Sequence, residues 1–225
     1  MLADRIREIE DRIGEACALA GRRREEVVLV AVSKPFPAEA IREAYDLGLR
    51  DFGESRLQEA LPKMDALPDD IRWHFIGHLQ SNKARKVAER CDVIHSLCNV
   101  RQLTAIQSAE RPVDVFVEVN IGREDGKSGI LPEEVDAFVP LVLERRHSRF
   151  CGLMAIGPYG IPAEETRKLF SEMRRLNERV GGRQLSLGMS GDFELAIEEP
   201  WILDGEAFPA GRYRVAEGPA LTFAV

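Results

Sequence analysis

The feature of this sequence that most constrains its fold is a regular alternation of short apolar runs with longer helical patterns. Seven short apolar runs are candidates for buried strands, and a weaker eighth follows; they lie at 27–33, 50–55, 72–77, 92–97, 113–120, 149–156, 183–189 and 201–203. Amphipathic segments separate them, and proline stands near the start of several, as at Pro37 and Pro132. Such alternation predicts parallel strands joined by helical crossovers.

Eight strand–helix units in a chain of 225 residues predict a closed (β/α)₈ barrel, preceded by an extra amphipathic helix over about residues 2–20. An open doubly wound sheet is the alternative. That fold usually has a glycine-rich phosphate turn after its first strand, and "VAVSKPFP" (30–37) has none. No linker or shift in composition divides the chain, so we expect a single domain over residues 1–225.

Charge, hydropathy and cysteine usage exclude several classes of protein. A net charge of −7 argues against a nucleic-acid-binding surface. The absence of a long uninterrupted apolar stretch predicts no membrane span, and the charged N-terminus is unlike a signal peptide. Four cysteines without a C-x-x-C pair indicate reduced thiols in a cytoplasmic protein. His74 and His78 are four residues apart but fall at a predicted strand end, so we expect no metal site.

In barrels of this class the active site forms at the C-terminal ends of the strands. The residues in that position are Lys34, Glu54, Ser55, Gly77, His78, Asn120, Met154 and Ser190. Lys34 is either a solvated loop residue or, in a partly desolvated barrel mouth, an amine that can form a Schiff base with an aldehyde. Ser190 either caps the following helix or binds a phosphate after the seventh strand.

Several longer strings occur in a fixed order along the chain. They are "VAVSK" (30–34), "FGES" (52–55), "WHFIGHLQSNK" (73–83), "VNIGREDGKSG" (119–129), "GLMAI" (152–156) and "LSLGMSGDFELAI" (185–197). Together they resemble the pyridoxal phosphate homeostasis protein family, single-domain relatives of the alanine racemase barrel, over about residues 5–198.

The resemblance implies a barrel that binds pyridoxal 5'-phosphate (PLP) as a Schiff base on Lys34. It places Ser190 and the Met189 backbone at the phosphate, and Ser55 near the cofactor, where the family usually has asparagine. It also implies a role in intracellular PLP (vitamin B6) and amino-acid homeostasis, with no catalytic residues. The expected partners are PLP and the apoenzymes that could receive it, and the expected state is a monomer or weak homodimer.

The tail, residues 199–225, departs from the family's pattern, which ends in a strand "VRIGTAIFG". Aligning "ILDGEAF" (202–208) with that strand puts Leu203 at the arginine that faces the pyridine ring, Gly205 at the glycine of the phosphate site and Glu206 at the threonine. On this alignment Gly205 is a candidate cofactor-binding residue. Because glutamate repels phosphate and leucine cannot address a ring nitrogen, the alignment predicts weakened cofactor affinity, from divergence or a changed reading frame.

Two other functions stay open beside that of a non-catalytic PLP-binding protein. An amino-acid racemase needs acid and base groups on both faces of the substrate Cα, and the two-domain racemases take one of them, a tyrosine, from an additional β-domain. No such domain fits after residue 198, and Tyr45, Tyr159 and Tyr213 lie in no matching motif. The third possibility is a degenerate barrel that no longer holds the cofactor.

Overall fold

The computed structural model describes residues 1–199, 202–203, 206–207 and 212–216. The helices of the described part are α1 (Leu2–Leu19), α2 (Ala38–Asp46), α3 (Leu57–Ala66), α4 (Ser81–Arg90), α5 (Val100–Gln107), α6 (Val135–Leu143), α7 (Ala163–Arg179) and α8 (Phe193–Glu198). Its strands are β1 (Val27–Val32), β2 (Asp51–Glu54), β3 (Arg72–Phe75), β4 (Val93–Leu97), β5 (Val113–Glu118), β6 (Ser148–Met154), β7 (Gln184–Ser186), β8 (Ile202–Leu203), β9 (Glu206–Ala207) and β10 (Arg212–Ala216).

Eight of the strands form a closed parallel barrel in the order β1-β10-β7-β6-β5-β4-β3-β2. This confirms the predicted (β/α)₈ architecture and the additional N-terminal helix. Helix α1 packs beside α8, where Arg12 donates from Nε to Glu194 Oε1 at 2.7 Å and its guanidinium lies 4.5 Å from the centre of the Phe193 ring.

The closing strand is where the sequence-based expectation is wrong. Ile202–Leu203 pairs with Glu206–Ala207 in a two-stranded antiparallel hairpin, and the barrel is closed by Arg212–Ala216 instead. The proline-free, glycine-free stretch "RYRVA" can supply the ladder hydrogen bonds of a central strand, whereas Pro200 and Pro209 interrupt the segment before it. Leu203 therefore does not occupy a strand-eight position. The register places Arg214 beside both Val28 and Ser186. Gly205 lies outside the described residues.

The apolar side chains fall into two separate clusters. The larger contains residues of both strands and helices, so it fills the layer between the barrel and its helical shell. The smaller contains the strand residues Val93, Phe116 and Met154. Since the two faces of a closed sheet do not meet, this second cluster lies inside the barrel. Polar residues share that interior, and they connect it to the site described next.

Candidate functional site

A cavity of about 210 Å³ opens at the C-terminal ends of the strands, as expected for this barrel class. Its walls come from the segments that follow β1, β2, β3, β6 and β7, and they bring together Lys34, Ser55, Gly77, Gly157 and Met189. The sequence-predicted residues Lys34, Ser55 and Met189 thus line one cavity. Apolar side chains of Val32, Ile76, Met154 and Leu187 form most of the remaining wall.

Lys34 stands on a turn directly after β1 and is exposed at the rim of this cavity. The turn is closed by the Phe36 amide, which donates to the Ser33 carbonyl at 3.0 Å. Within the described part of the chain, the Lys34 amine makes no hydrogen bond or ion pair. Its ammonium or amine group is therefore available to a ligand in the cavity.

A second lysine holds the backbone beneath Lys34. The Lys63 ammonium donates to the carbonyls of Ser33 (2.9 Å) and Lys34 (3.2 Å) and to Glu54 Oε1 (2.8 Å). Ser33 donates its hydroxyl to the same Glu54 oxygen at 2.7 Å. The Glu54 side chain is fully buried and that of Lys63 is 11% exposed, so this ion pair is largely removed from water. The pair fixes the position from which the Lys34 side chain departs.

Sequence reasoning singled out Glu54 only as a strand end, and it missed Lys63. A signal was present, because a carboxylate that ends an apolar strand requires a cationic partner when it is buried. The lysine at that partner position lies one turn before the end of the next helix, α3.

The segment after β7 forms the opposite wall. Gly188 adopts a φ of +84°, and an ideal Cβ there would lie 2.7 Å from the Cα of Phe193, so only glycine fits. The Met189 amide donates to Asp192 Oδ1 at 2.6 Å. Burial raises the pKa of the Asp192 carboxyl, while the hydrogen bond from Met189 opposes that shift.

Ser190 lies just outside the main cavity, in an adjoining one that also contains Gly157, Met189 and Gly191. The interpretation of Ser190 as a helix cap is wrong, since α8 begins at Phe193 and its N-cap is Asp192. An ideal Cβ at Gly157 or Gly191 would meet no atom within 4 Å. Open space therefore lies beside both glycines, on the side of Ser190.

The floor of the cavity contains a chain of buried polar groups that sequence reasoning did not find. His95 and Ser186 line the cavity, and His95 Nδ1 lies 2.8 Å from Ser186 Oγ. His95 Nε2 lies 2.9 Å from His74 Nδ1, and His74 Nε2 lies 2.8 Å from Asp51 Oδ1. The available signal was a histidine within each of two apolar runs, "RWHFIG" and "DVIHSL".

Other strand-end residues form a polar cluster on the rim. Ser128 donates to Glu118 Oε2 at 3.0 Å, and its hydroxyl lies 3.3 Å from Nδ1 of the exposed His78. Burial raises the pKa of the Glu118 carboxyl. Asn120 accepts from the Glu124 amide at 3.1 Å and so closes the loop after β5.

His74 and His78 do not act together, since the first is buried in the barrel and the second is exposed. Among the residues that the structure describes, no group of three or more His, Cys, Asp or Glu side chains could hold a metal ion. In the same part of the chain, no helix combines the length and apolar character needed to cross a lipid bilayer.

The sequence matches a known protein family and several characterised relatives. The family described as alanine racemase, N-terminal domain, matches residues 9–204. The pyridoxal phosphate homeostasis protein of Aquifex aeolicus is 40% identical over 207 residues, which cover 87% of this chain and 91% of the relative. The protein of the same name from Pseudomonas aeruginosa is 40% identical over 221 residues, covering 94% and 96% of the two chains.

Among solved structures, PipY of Synechococcus elongatus PCC7942 is 34% identical and has been solved both without PLP (TM-score 0.79) and with PLP bound (TM-score 0.76). The form with PLP matches 93% of this chain and 99% of PipY. Alanine racemase from Corynebacterium glutamicum, at 16% identity and a TM-score of 0.68, shares the fold; the match covers 95% of this chain and 60% of the racemase.

The curated relatives carry the name of a homeostasis protein, whereas the more distant solved structures of this fold include racemases and a decarboxylase. The likeness to these distant structures shows the fold alone, and the closer likeness groups this chain with proteins not named for a reaction. The match at 40% identity over nearly the whole length decides between the two groups. This chain belongs to the pyridoxal phosphate homeostasis protein family, within the alanine racemase N-terminal-domain fold.

Proposed function

We propose that this protein binds pyridoxal 5'-phosphate in the cavity at the C-terminal end of the barrel, with Lys34 as the residue that bonds to it. The observation that carries the proposal is the position of Lys34, a lysine with an unengaged amine at the rim of a cavity, in a chain whose relative PipY has been solved with PLP bound. When bound, the cofactor supplies an aldehyde carbon that a neutral lysine amine can attack.

The described residues fit such a ligand in three respects. Apolar side chains line most of the cavity, which suits an aromatic ring, and a few polar groups converge on it. Open space beside Gly157 and Gly191, next to Ser190, leaves room that a side chain would fill. The Met189 amide donates to Asp192 Oδ1 at 2.6 Å, so a hydrogen bond already engages the carboxylate that lines the cavity.

The roles of the individual residues follow from their contacts. Lys63 and Glu54 hold the turn from which Lys34 reaches the cavity. Ser55 lies on the wall next to Lys34, and Met189 and Ser190 lie on the opposite side. We assign Ser190 to the phosphate, with the Met189 backbone beside it, and Ser55 to a contact with the cofactor. Gly205, outside the described residues, keeps the status of a sequence prediction.

We further propose that the protein carries or buffers PLP for intracellular PLP and amino-acid homeostasis and does not turn over a substrate. The names of the relatives support this function. In the described part of the chain, Tyr45 lines neither cavity, and Tyr159 lines only the adjoining one, where it is 97% exposed, so neither is placed at Lys34 as the second acid–base group that a racemase requires. Delivery to apoenzymes, a cytoplasmic location and a monomeric or weakly dimeric state belong to the same proposal.

An absorbance titration with PLP tests the assignment. The wild-type protein should develop the visible band of a lysine-linked cofactor, and borohydride reduction should fix the cofactor to the peptide that contains Lys34. Lys34→Ala should lose the band. Lys86→Ala, which removes an exposed lysine of α4, is the matched control and should keep it. An unchanged band in Lys34→Ala overturns the assignment, and no band in the wild type favours a degenerate barrel.

The non-catalytic part of the proposal has its own measurement. Incubation of the PLP-loaded protein with alanine in deuterium oxide should leave the Cα proton in place. Exchange at Cα above the rate given by free PLP would identify a racemase-like activity instead.

A further inference from the structure

The buried chain Asp51–His74–His95–Ser186 crosses the inside of the barrel from one end to the other. Asp51 is the first residue of β2, and its side chain is 22% exposed at the N-terminal end of the barrel. Ser186 is the last residue of β7 and lines the cavity at the C-terminal end. Between them, His74 and His95 are 0% and 1% exposed, so both imidazoles are shielded from bulk water. Three contacts of 2.8–2.9 Å join the four side chains.

The direction of the hydrogen bonds follows from the chemistry of the end groups. An ionised Asp51 carboxylate only accepts, so His74 donates to it from Nε2. A neutral His74 then accepts at Nδ1 from Nε2–H of His95, and a neutral His95 accepts at Nδ1 from the Ser186 hydroxyl. In this arrangement Ser186 presents only lone pairs to the cavity.

One added proton reverses the direction of the hydrogen bonds from Ser186 through His95 to His74. When a group in the cavity gives a proton to Ser186 Oγ, the serine passes its own proton to His95 Nδ1, and His95 passes its Nε2 proton to His74 Nδ1. His74 becomes an imidazolium beside the Asp51 carboxylate, and Ser186 now presents an O–H donor to the cavity. No other bond changes, and the added charge is neutralised by Asp51, at the far end of the chain.

We propose that these four residues form a one-proton relay that sets whether Ser186 offers the bound ligand an acceptor or a donor. The ligand class is a heteroaromatic ring with a titratable ring nitrogen or phenolic oxygen, and for PLP this rests on the function proposed above. His95 and Ser186 are then ligand-binding residues, and His74 and Asp51 are positioning residues that act through them.

The packing around the relay suits this role. The Phe116 ring stacks on His95, with centroids 4.9 Å apart and planes 18° apart, which holds the imidazole in one orientation. Met154 packs on the same side from β6. Phe116 and Met154 do not titrate, and the titratable residue of β6 that packs against the same cluster is Cys151.

Charged groups lie above and below the relay. At the N-terminal end Arg72 and Arg149 both pair with Asp114, at 2.5 and 2.9 Å. The register of the closing strand sets Arg212 beside Gln184 and Arg214 beside Ser186, with Tyr213 between them. Among the described residues that line the cavity, the charged ones are Lys34 and Asp192.

Nitrogen NMR of the ligand-free protein tests the relay without PLP. The chain has four histidines, His74, His78, His95 and His147, so His78→Ala and His147→Ala leave the two relay imidazoles to be assigned. We expect both rings as Nε2–H tautomers at high pH. On acidification His95 should convert to the Nδ1–H tautomer in the same step in which His74 becomes an imidazolium. Separate titration of the rings, or no change in either ring across the folded range, overturns the relay.

Calorimetric titration with PLP in two buffers of different ionisation enthalpy tests its coupling to the ligand. The number of protons exchanged on binding should differ between the wild type and both Asp51→Asn and Ser186→Ala. The matched control is Ser96→Ala, a buried serine of β4 that donates to the Gly77 carbonyl and lies outside the relay. It should match the wild type. Equal proton numbers in all four proteins overturn the coupling.

The two proposals fail in different ways. Lys34→Ala should retain the NMR signature of the relay while it loses the PLP band. If the band is absent in the wild type but the imidazoles titrate together, the function proposed above is wrong and the relay stands. If the band depends on Lys34 but the imidazoles titrate separately, the relay is wrong and the function proposed above stands.

Discussion

The polar side chains at the two ends of the barrel are engaged differently. At the N-terminal end two arginines, Arg72 and Arg149, pair with Asp114, and Arg111 pairs with Asp92 at 3.0 Å. At the C-terminal end the amine of Lys34 has no partner in the described part of the chain, and Ser186 lines an open cavity.

The difference shows where a barrel can hold a ligand. Charges that neutralise each other on the surface contribute little to stability and leave nothing for a ligand to bind. At the cavity end the ion pair is the buried one between Lys63 and Glu54. It binds the backbone of the turn and leaves the Lys34 amine unengaged. The Lys63–Glu54 pair therefore fixes the turn without using the Lys34 amine, which stays available to a ligand.

The largest expected effect is the loss of this buried pair. Lys63→Met leaves the Glu54 carboxylate buried without its cation and should lower the free energy of unfolding by about 3–5 kcal/mol. Arg149→Met removes an ion pair at the opposite end whose arginine is 63% exposed, and it should cost only about 0–1 kcal/mol. Urea denaturation of both variants measures the contrast.

A double variant guards this prediction against a trivial loss of packing. Lys63→Met combined with Glu54→Gln removes the unpaired charge as well, and it should regain a large part of the stability. Equal losses at the two ends of the barrel, or a double variant no more stable than Lys63→Met, would contradict the assignment of a supporting ion pair.

The next contrast lies along a single strand. Gly181 precedes β7 with a φ of +71° and no atom within 4 Å of an ideal Cβ, so Gly181→Ala should cost about 1–2 kcal/mol from backbone strain alone. Gly188 follows β7 with a φ of +84° and a backbone atom at 2.7 Å, so Gly188→Ala should cost more and also displace the turn that carries Met189.

Two measurements separate strain from displacement at these glycines. The midpoint temperature of thermal unfolding should be lower for Gly188→Ala than for Gly181→Ala. Only Gly188→Ala should weaken PLP binding in the absorbance titration. Equal binding by the two variants would show that the turn after β7 does not contribute to the cavity.

A smaller effect is expected from pH. Burial raises the pKa of Asp192 above its ordinary value of 3.8, so the folded state binds this proton more tightly than the unfolded state does. Stability from this group is therefore lost as pH rises from the ordinary value through the raised one. Asp192→Asn lacks that loss, and its stability relative to the wild type should increase between pH 3.5 and pH 7.

Chemical denaturation at the two pH values measures this change. Asp114→Asn serves as the comparison at the other end of the barrel, since it removes the acceptor of two arginines and should destabilise the protein at neutral pH. A relative stability of Asp192→Asn that stays constant or falls with pH would contradict the burial of this carboxyl.

Three features show how much of the structure could be predicted from the sequence. Lys34 and the barrel were predictable, because strand alternation is local and the strand end fixes where the lysine stands. The relay was not, because His74 and His95 come 21 residues apart and only the closure of the barrel sets them 2.9 Å from each other. The sequence misplaces the closing strand, since the apolar run "WIL" predicts a buried strand more strongly than the charged "RYRVA", which pairs with β1.

The smallest expected effect concerns that closing strand. On the alignment of 202–208 with the family's last strand, Leu203→Arg would restore an arginine to the ring and raise the affinity for PLP. The structure instead pairs Leu203 with Glu206 in the hairpin and closes the barrel with Arg212–Ala216, whose Arg214 lies in register with Ser186. Leu203→Arg should therefore leave the affinity for PLP unchanged within about twofold, a difference below ~0.4 kcal/mol. A clear rise in the affinity for PLP, measured by the absorbance titration, would assign the eighth strand to residues 202–208. The comparison of the two ends of the barrel would then rest on a different closing strand.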